Sequence, residues 1–292
     1  MTMQEEYLAL LERHKALERS PMGRFHVNQE RRYVEPFHIY GPIWYVGDDW
    51  VCVHLIDTGD GLLLIDSGNY GATAVLVHSI WRAGFDPSDV RWIIHSHGHV
   101  DHIGGSLFFQ RMFGTKLYLS DADARVFRET PWLSLMQESR NDCEDLFTPD
   151  VEIHDGETIT FGNIPIRFVL CPGHTIGVIS CFFDVDGEEG VKRCGYFGGF
   201  GFNTLRKDYL LEIGDSDFSM RERYLDSLAK VRDEKVELFL GNHPNNNNTF
   251  EKQASRHASQ GSNPFLNSED WRCYLDQKRE ELLRFMADPA NH

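Results

Sequence analysis

The chain has no apolar run near eighteen residues, so no stretch of it reads as a membrane-spanning helix. It has no basic run either. Its 29 Lys and Arg stand against 45 Asp and Glu, a formal charge of −16. A surface of that sign repels phosphate backbones and argues against a nucleic-acid partner. The six cysteines (Cys52, Cys143, Cys171, Cys181, Cys194 and Cys273) show neither C-x-x-C spacing nor a disulfide framework. The first twenty residues lack the basic start and unbroken apolar core of an export signal, because Glu5, Glu6 and Glu12 interrupt them. These absences lead us to expect a cytoplasmic protein that acts on a small molecule, with no membrane or nucleic-acid partner.

What is present suits a large globular unit. The 292 residues are 41% hydrophobic, enough apolar surface for one large domain or two layers sharing a core. Residues 1–35 read as a helical extension, with Tyr7, Leu11, His14 and Leu17 on one side of an amphipathic helix. Residues 36–292 read as the catalytic domain. From Ile43 onward short β-rich runs alternate with turns. A helix is expected over 71–83, with Val75, Ile80 and Trp81 near helical spacing and Gly84 as its C-cap. VRWII (90–94) reads as a buried strand and KLYLS (116–120) as another. DADARVFRE (121–129) reads as a helix opening on an Asp N-cap. Residues 130–150 are irregular. Strands recur between 158 and 199, 219–234 is a strong helix, and VELFLG (236–241) is a buried strand. A polar loop with a short helix covers 245–267, and a terminal helix covers 268–286 with its cap at Ser268.

The densest chemistry lies in HSHGHVDHIGG (95–105). His97, His99, Asp101 and His102 place three imidazoles and a carboxylate within six residues. Core packing has no use for such a cluster, whereas N and O donors of this kind bind borderline metal ions. His97 and His99 alternate along an extended stretch and can face one ion. Asp101 and His102 follow a bend and can face another. His95-x-His97 repeats the same spacing, but that register moves away from Asp101. Gly104 and Gly105 let the chain turn into a helix near Ser106.

With PGHTIG (172–177), which carries His174, and LFLGNHP (238–244), which carries His243, this stretch resembles the metallo-β-lactamase superfamily. The likeness runs from about Pro36 to about Arg284. It is greatest to the third subclass, through residues 45–68 and 83–105. The resemblance implies an α/β fold, a four-layer αββα sandwich with the site at one edge of the paired sheets. It implies two zinc ions, with His97, His99 and His174 for one and Asp101, His102 and His243 for the other. It also implies a hydrolase that opens a cyclic amide of the β-lactam type, the reaction behind antibiotic resistance. Two close zinc ions bring a shared water's pKa to about 7, so a nucleophile exists without Ser or Cys. Asp101 is both ligand and proton relay. Asp66, ending LLLID, is expected to hold the motif loop by a hydrogen bond.

Three departures from the family matter. YFGGFGFN (196–203) has no Asp, Glu or Cys where many members carry a carboxylate bridging the metals. That separates the chain from glyoxalase-II-like thioesterases and lactonases, and agrees with the third subclass. Iron-binding relatives carry Glu at the position of His99, which favours zinc. Gly199 and Gly201 stand where the third subclass presents hydroxyls to the substrate carboxylate. That grip is therefore expected to be weaker, or moved to Arg206 or Lys207. The third subclass also ties its C-terminal helix to a strand by a disulfide; here Cys273 is on the helix side and Val236 on the strand side. A lactone, thioester or other small ester is the alternative substrate. An iron-dependent oxidoreductase of the same fold is a further alternative.

Overall fold

A computed structural model describes residues 2–19, 29–136, 145–256 and 262–291. After helix α1 (Met3–Arg19), the chain builds a seven-stranded sheet from β1 (Phe37–Tyr40), β2 (Ile43–Tyr45), β3 (His54–Asp57), β4 (Leu62–Ile65), β5 (Val90–Ile94), β6 (Lys116–Ser120) and β7 (Val151–Ile153). These lie in sequence order: antiparallel from β1 to β4, parallel from β4 to β7. A second sheet holds β8 (Thr158–Phe161), β9 (Ile164–Leu170), β10 (Ile179–Val185), β11 (Lys192–Phe197) and β12 (Leu238–Gly241), in the order β12-β11-β10-β9-β8.

Three apolar clusters define four layers. Along β4, Leu63 and Ile65 enter the core between the sheets, while Leu62 and Leu64 pack outward with Leu76, Ile80 and Phe109. Those three residues come from helices α2 (Thr73–Arg82) and, after the motif's own short helix α3 (Val100–Ile103), α4 (Ser106–Phe113). Along β10, Cys181 and Phe183 face the first sheet while Phe182 packs outward against Trp271. Helices α7 (Ser219–Val231) and α9 (Asp270–Ala287) cover that outer side, following α5 (Asp121–Glu129) and α6 (Lys207–Glu212) and flanking α8 (Thr249–Ser255). Strands such as β4, β10 and β12 are thus buried on both faces, which is why they read as apolar runs rather than alternations. A fully buried Phe such as Phe182 contributes roughly 1.5–3 kcal/mol.

Several expectations need correction. The cap of α5 is Ser120, whose Oγ accepts from the Asp123 amide; Asp121 is already inside the helix. Trp81 is 62% exposed, and the core side of α2 is Leu76, Ser79 and Ile80. The terminal helix is preceded by Asn267, whose side chain accepts from the Glu269 amide, instead of being capped by Ser268. β1 and β7 are too short for their apolar pattern to stand out from neighbouring turns. On α1, Tyr7 is exposed, as are Met3, Leu8 and Leu10; the side chains of His14 and Leu17 lie outside the described residues. Cys52, Cys171, Cys181 and Cys194 are buried thiols and Cys273 is an exposed one, with Val236 buried, while Cys143 lies outside the described residues. Among the described residues no helix is long and apolar enough to cross a membrane.

Close approach explains Gly104. A Cβ there would lie 2.0 Å from the Tyr70 amide nitrogen, so only glycine lets the motif helix press against the loop that follows β4. Below the motif, His54 is wholly buried between the sheets. Its Nε2 bonds the Gly241 carbonyl at 2.9 Å, and Tyr45 and Tyr196 stand edge-on to its ring. Burial holds its imidazole down at about 4. The unfolded chain therefore binds this proton more readily than the fold does. Stability should be complete above pH 6.5 and should fall as pH drops from 6.5 toward 4. Between pH 7.5 and 5 this one group should cost about 2 kcal/mol. Denaturant titrations across that range should show a shallower pH dependence in His54→Gln than in the wild type. Parallel curves would remove His54 from the acid sensitivity.

Candidate metal centre

The motif sits at the carboxyl end of β5, where a parallel strand hands its chain to a loop and a helix. His97 and His99 lie on the extended loop and Asp101 and His102 on α3. His174 comes from the loop between β9 and β10, and His243 stands two residues past the end of β12. Both sheets therefore deliver ligand-type residues to one edge.

His97, His99 and His174 each offer a nitrogen within 4.8 Å of the others, and so do His97 and His102 with a carboxylate oxygen of Asp101. His99 Nδ1 and His174 Nε2 lie 2.9 Å apart. Asp101 Oδ2 lies 3.5 Å from His102 Nε2 and 3.8 Å from His243 Nε2. The Nε2 atoms of His97, His99 and His102 are buried without a hydrogen-bond partner. Buried nitrogens left without a partner are expensive unless something else takes their lone pairs. Burial, first of all, holds the imidazoles of His97 and His99 well below their ordinary range and those of His174 and His243 at about 4. They are neutral at pH 7, the form that donates a lone pair to a cation. The donor set fits a divalent metal.

Four of the five histidines bind a protein acceptor through Nδ1. His97 Nδ1 bonds the Gly198 carbonyl at 2.7 Å, His174 Nδ1 the Gly201 carbonyl at 3.0 Å, and His243 Nδ1 the Trp50 carbonyl at 2.6 Å. His102 Nδ1 bonds Asp66 Oδ2 at 2.8 Å. Asp66 is wholly buried and also takes the Ser96 amide (2.7 Å), the Ser96 hydroxyl (2.9 Å) and the Tyr196 hydroxyl (2.6 Å). Burial alone would raise its carboxyl; His102 and these donors outweigh it and hold the carboxyl below the usual range. Burial would lower His102, but the charge of Asp101 and the charge and hydrogen bond of Asp66 outweigh it and keep the imidazole above its ordinary range. Asp66 stands at φ 64°, a left-handed conformation uncommon for a side-chain-bearing residue, and its four donors offset that strain.

The loop after β11 works through its backbone. The Gly198 carbonyl also accepts from Asn242 Nδ2 at 2.9 Å, and the Gly199 carbonyl from the Tyr224 hydroxyl at 2.9 Å. A Cβ on Gly198 would meet the Ile179 carbonyl oxygen at 2.2 Å, so a carboxylate cannot be inserted there without moving the strand. A Cβ on Gly199 would lie 2.7 Å from Val178 Cγ2, and one on Gly201 2.7 Å from Asn203 Oδ1 and 3.0 Å from His174 Cε1. Gly199 and Gly201 are thus more than positions lacking a hydroxyl, since their narrow backbone is what lets the loop reach the His174 segment. Arg206 is exposed and pairs with Asp208. His95 stands apart from the ligands, bonded to the Tyr118 carbonyl and Ser106. Beside His99 and His174 opens a largely apolar cavity of about 220 Å³, with Val126, Leu133, Ile176, Ile213 and Met220 in its wall.

Sequence reasoning missed Trp50, Ser96, Tyr196, Tyr224 and Asn242. Each acts on a carbonyl, a carboxylate or a ring that only folding brings near. Only Ser96 and Asn242 carry a signal, as immediate neighbours of ligand-type histidines. If Asp66 fixes the ring of His102, Asp66→Asn should lower divalent-metal affinity about 10–100-fold. Competition with a chromophoric chelator measures this, and an unchanged affinity would take that role from Asp66.

With this geometry established, comparison with known proteins adds the following. The sequence model described as the metallo-beta-lactamase superfamily matches residues 51–187. A subclass B3 metallo-beta-lactamase of Bradyrhizobium japonicum superposes with a TM-score of 0.77 at 24% identity, over 89% of this chain and 96% of that one. A metallo-beta-lactamase from Legionella gormanii gives a TM-score of 0.74 at 25% identity, over 87% and 96%. Among curated sequences, a hydroxyacylglutathione hydrolase of Anaeromyxobacter dehalogenans is 28% identical over 126 residues, 43% of this chain and 39% of that protein. The chain thus spans only about two-fifths of the length of the curated relatives it matches first.

Proposed function

Since the chain belongs to the metallo-beta-lactamase superfamily, we propose that it is a dinuclear zinc hydrolase that opens a cyclic amide of the β-lactam type. His97, His99 and His174 would hold one ion, and Asp101, His102 and His243 the other. When bound, the two ions supply a nucleophile from water near neutral pH and positive charge for the oxygen that becomes anionic. The observation that carries this reading is the pair of buried, partnerless Nε2 atoms on His97 and His102 beside the Asp101 carboxylate, with His99 Nδ1 and His174 Nε2 facing each other next to His97.

The chain's own residues do the rest. The Gly198, Gly201 and Trp50 carbonyls hold His97, His174 and His243 in the tautomer that leaves the inward nitrogen bare. Asp66 is saturated by its four donors, so Asp101 is the carboxylate that receives the proton given up by the attacking water. The apolar cavity beside His99 and His174 receives the substrate's non-reacting part and keeps water from it. The β-lactam preference draws support from the carboxylate-free loop at 196–203, where Gly198 leaves no room for a side chain. A thioester hydrolase is the second reading, favoured by the sequence match to a hydroxyacylglutathione hydrolase.

Zinc-loaded protein should hydrolyse a chromogenic cephalosporin and lose that activity to a chelator. Asp101→Ala should fold and lose kcat by about 10²–10⁴, the usual worth of a positioned acid–base group. Cleavage of glutathione thioesters without any β-lactam turnover would overturn the lactamase reading in favour of the thioesterase. Wild-type turnover by a folded Asp101→Ala protein would remove Asp101 from the chemistry.

A further inference from the structure

Asp66 holds only His102 of the six ligand-type residues, yet a second buried carboxylate lies at the other end of the cluster. Asp123, in the first turn of α5, is 1% exposed. Its Oδ2 accepts the Gly98 amide at 2.8 Å and the Thr175 hydroxyl at 2.9 Å. Gly98 is the residue between His97 and His99, and Thr175 is the residue after His174. One oxygen therefore joins the two loops that supply the first histidine set. Packing enforces the junction: a Cβ on Gly177 would lie 2.4 Å from Asp123 Cγ, and one on Gly98 2.7 Å from the Phe127 ring of the same helix. The loops can close on Asp123 only because both positions are glycine.

We infer that Asp123 is a positioning residue that clamps the loops of His97, His99 and His174 together and so sets the metal affinity of that set alone. The inference rests on the two ligand sets proposed above. Asp123 bonds neither an imidazole nor Asp101, and it acts through main-chain and hydroxyl donors. His102 and His243 are held independently, by Asp66 and by the Trp50 carbonyl. Without the carboxylate, the Gly98 amide and the Thr175 hydroxyl lose their shared acceptor, and His99 and His174 lose the restraint on their approach. A residue that orients ligands from behind is commonly worth 10–100-fold in metal affinity.

The test is a cobalt(II) titration of the full chain, followed by visible absorption and by competition with a chromophoric chelator. In Asp123→Ala one of the two equivalents should weaken about 10–100-fold while the other keeps its wild-type affinity. Asp123→Asn retains an oxygen of the same reach and should recover most of the loss. Thr175→Val removes one of the two bonds with little change of shape. It should move the same equivalent in the same direction by less, and it serves if Asp123→Ala does not fold. Unchanged binding in Asp123→Ala, or in Thr175→Val where it stands in, would overturn the clamp. So would a parallel loss of both equivalents. Should the wild type bind a single equivalent, the dinuclear reading fails by itself. The clamp then stands if Asp123→Ala, or Thr175→Val in its place, weakens that equivalent, and falls if it does not.

Discussion

Buried nitrogen lone pairs that no protein donor satisfies are the constraint on which this structure turns. His97 and His102 each bring a buried Nε2 without a partner to one sheet edge, where His99 Nδ1 meets His174 Nε2. Leaving such groups dry costs free energy that a fold does not spend without return. The surroundings make sense as a device for keeping these rings buried and close together. Burial lowers the imidazoles of His97, His99, His174 and His243, and the Nε2 atoms of His97 and His102 have no protein partner.

The devices that aim these rings fall into two kinds. At His97, His174 and His243 the outward nitrogen meets a backbone carbonyl, a neutral acceptor whose position depends on how loops pack. At His102 it meets Asp66, a charged acceptor. Asp66 is thus the one carboxylate among these four outward acceptors, and it stands on the His102 side. The glycine loop supplies two of the others: Gly198 and Gly201 turn their carbonyls to the histidines in a space too narrow for side chains. Crowding and ligand orientation are thus one feature seen from two sides.

The four layers serve the same end. Strands buried on both faces give a stiff platform, and the loops at one edge carry the chemistry. Residues distant in sequence become neighbours there because β11 and β12 run parallel, which brings Gly198 and Asn242 to the same level. Asn242 in turn holds the carbonyl that orients His97, so the second sheet fixes a ligand-type histidine of the first.

Much of this was legible in the residues. The order and spacing of His97, His99, Asp101 and His102, with a strand before and glycines after, is a local pattern. Ligand-type residues this dense in one stretch can be read without a fold. The strands announced themselves as apolar runs, and the main helices by their period and ends. The partners of the ligands could not be read, because hydrogen bonds to main-chain carbonyls leave no mark on residue type: any residue supplies a carbonyl at 50, 198 or 201. Gly199 and Gly201 show the limit from the other direction. As letters they look like missing hydroxyls, and only packing against Val178 and His174 reveals that a side chain there has nowhere to go. Sequence by itself determined which donors the chain owns and roughly where they sit. Tertiary structure decided which way each donor points, because direction depends on long-range contacts such as Asp66 to Tyr196, 130 residues apart.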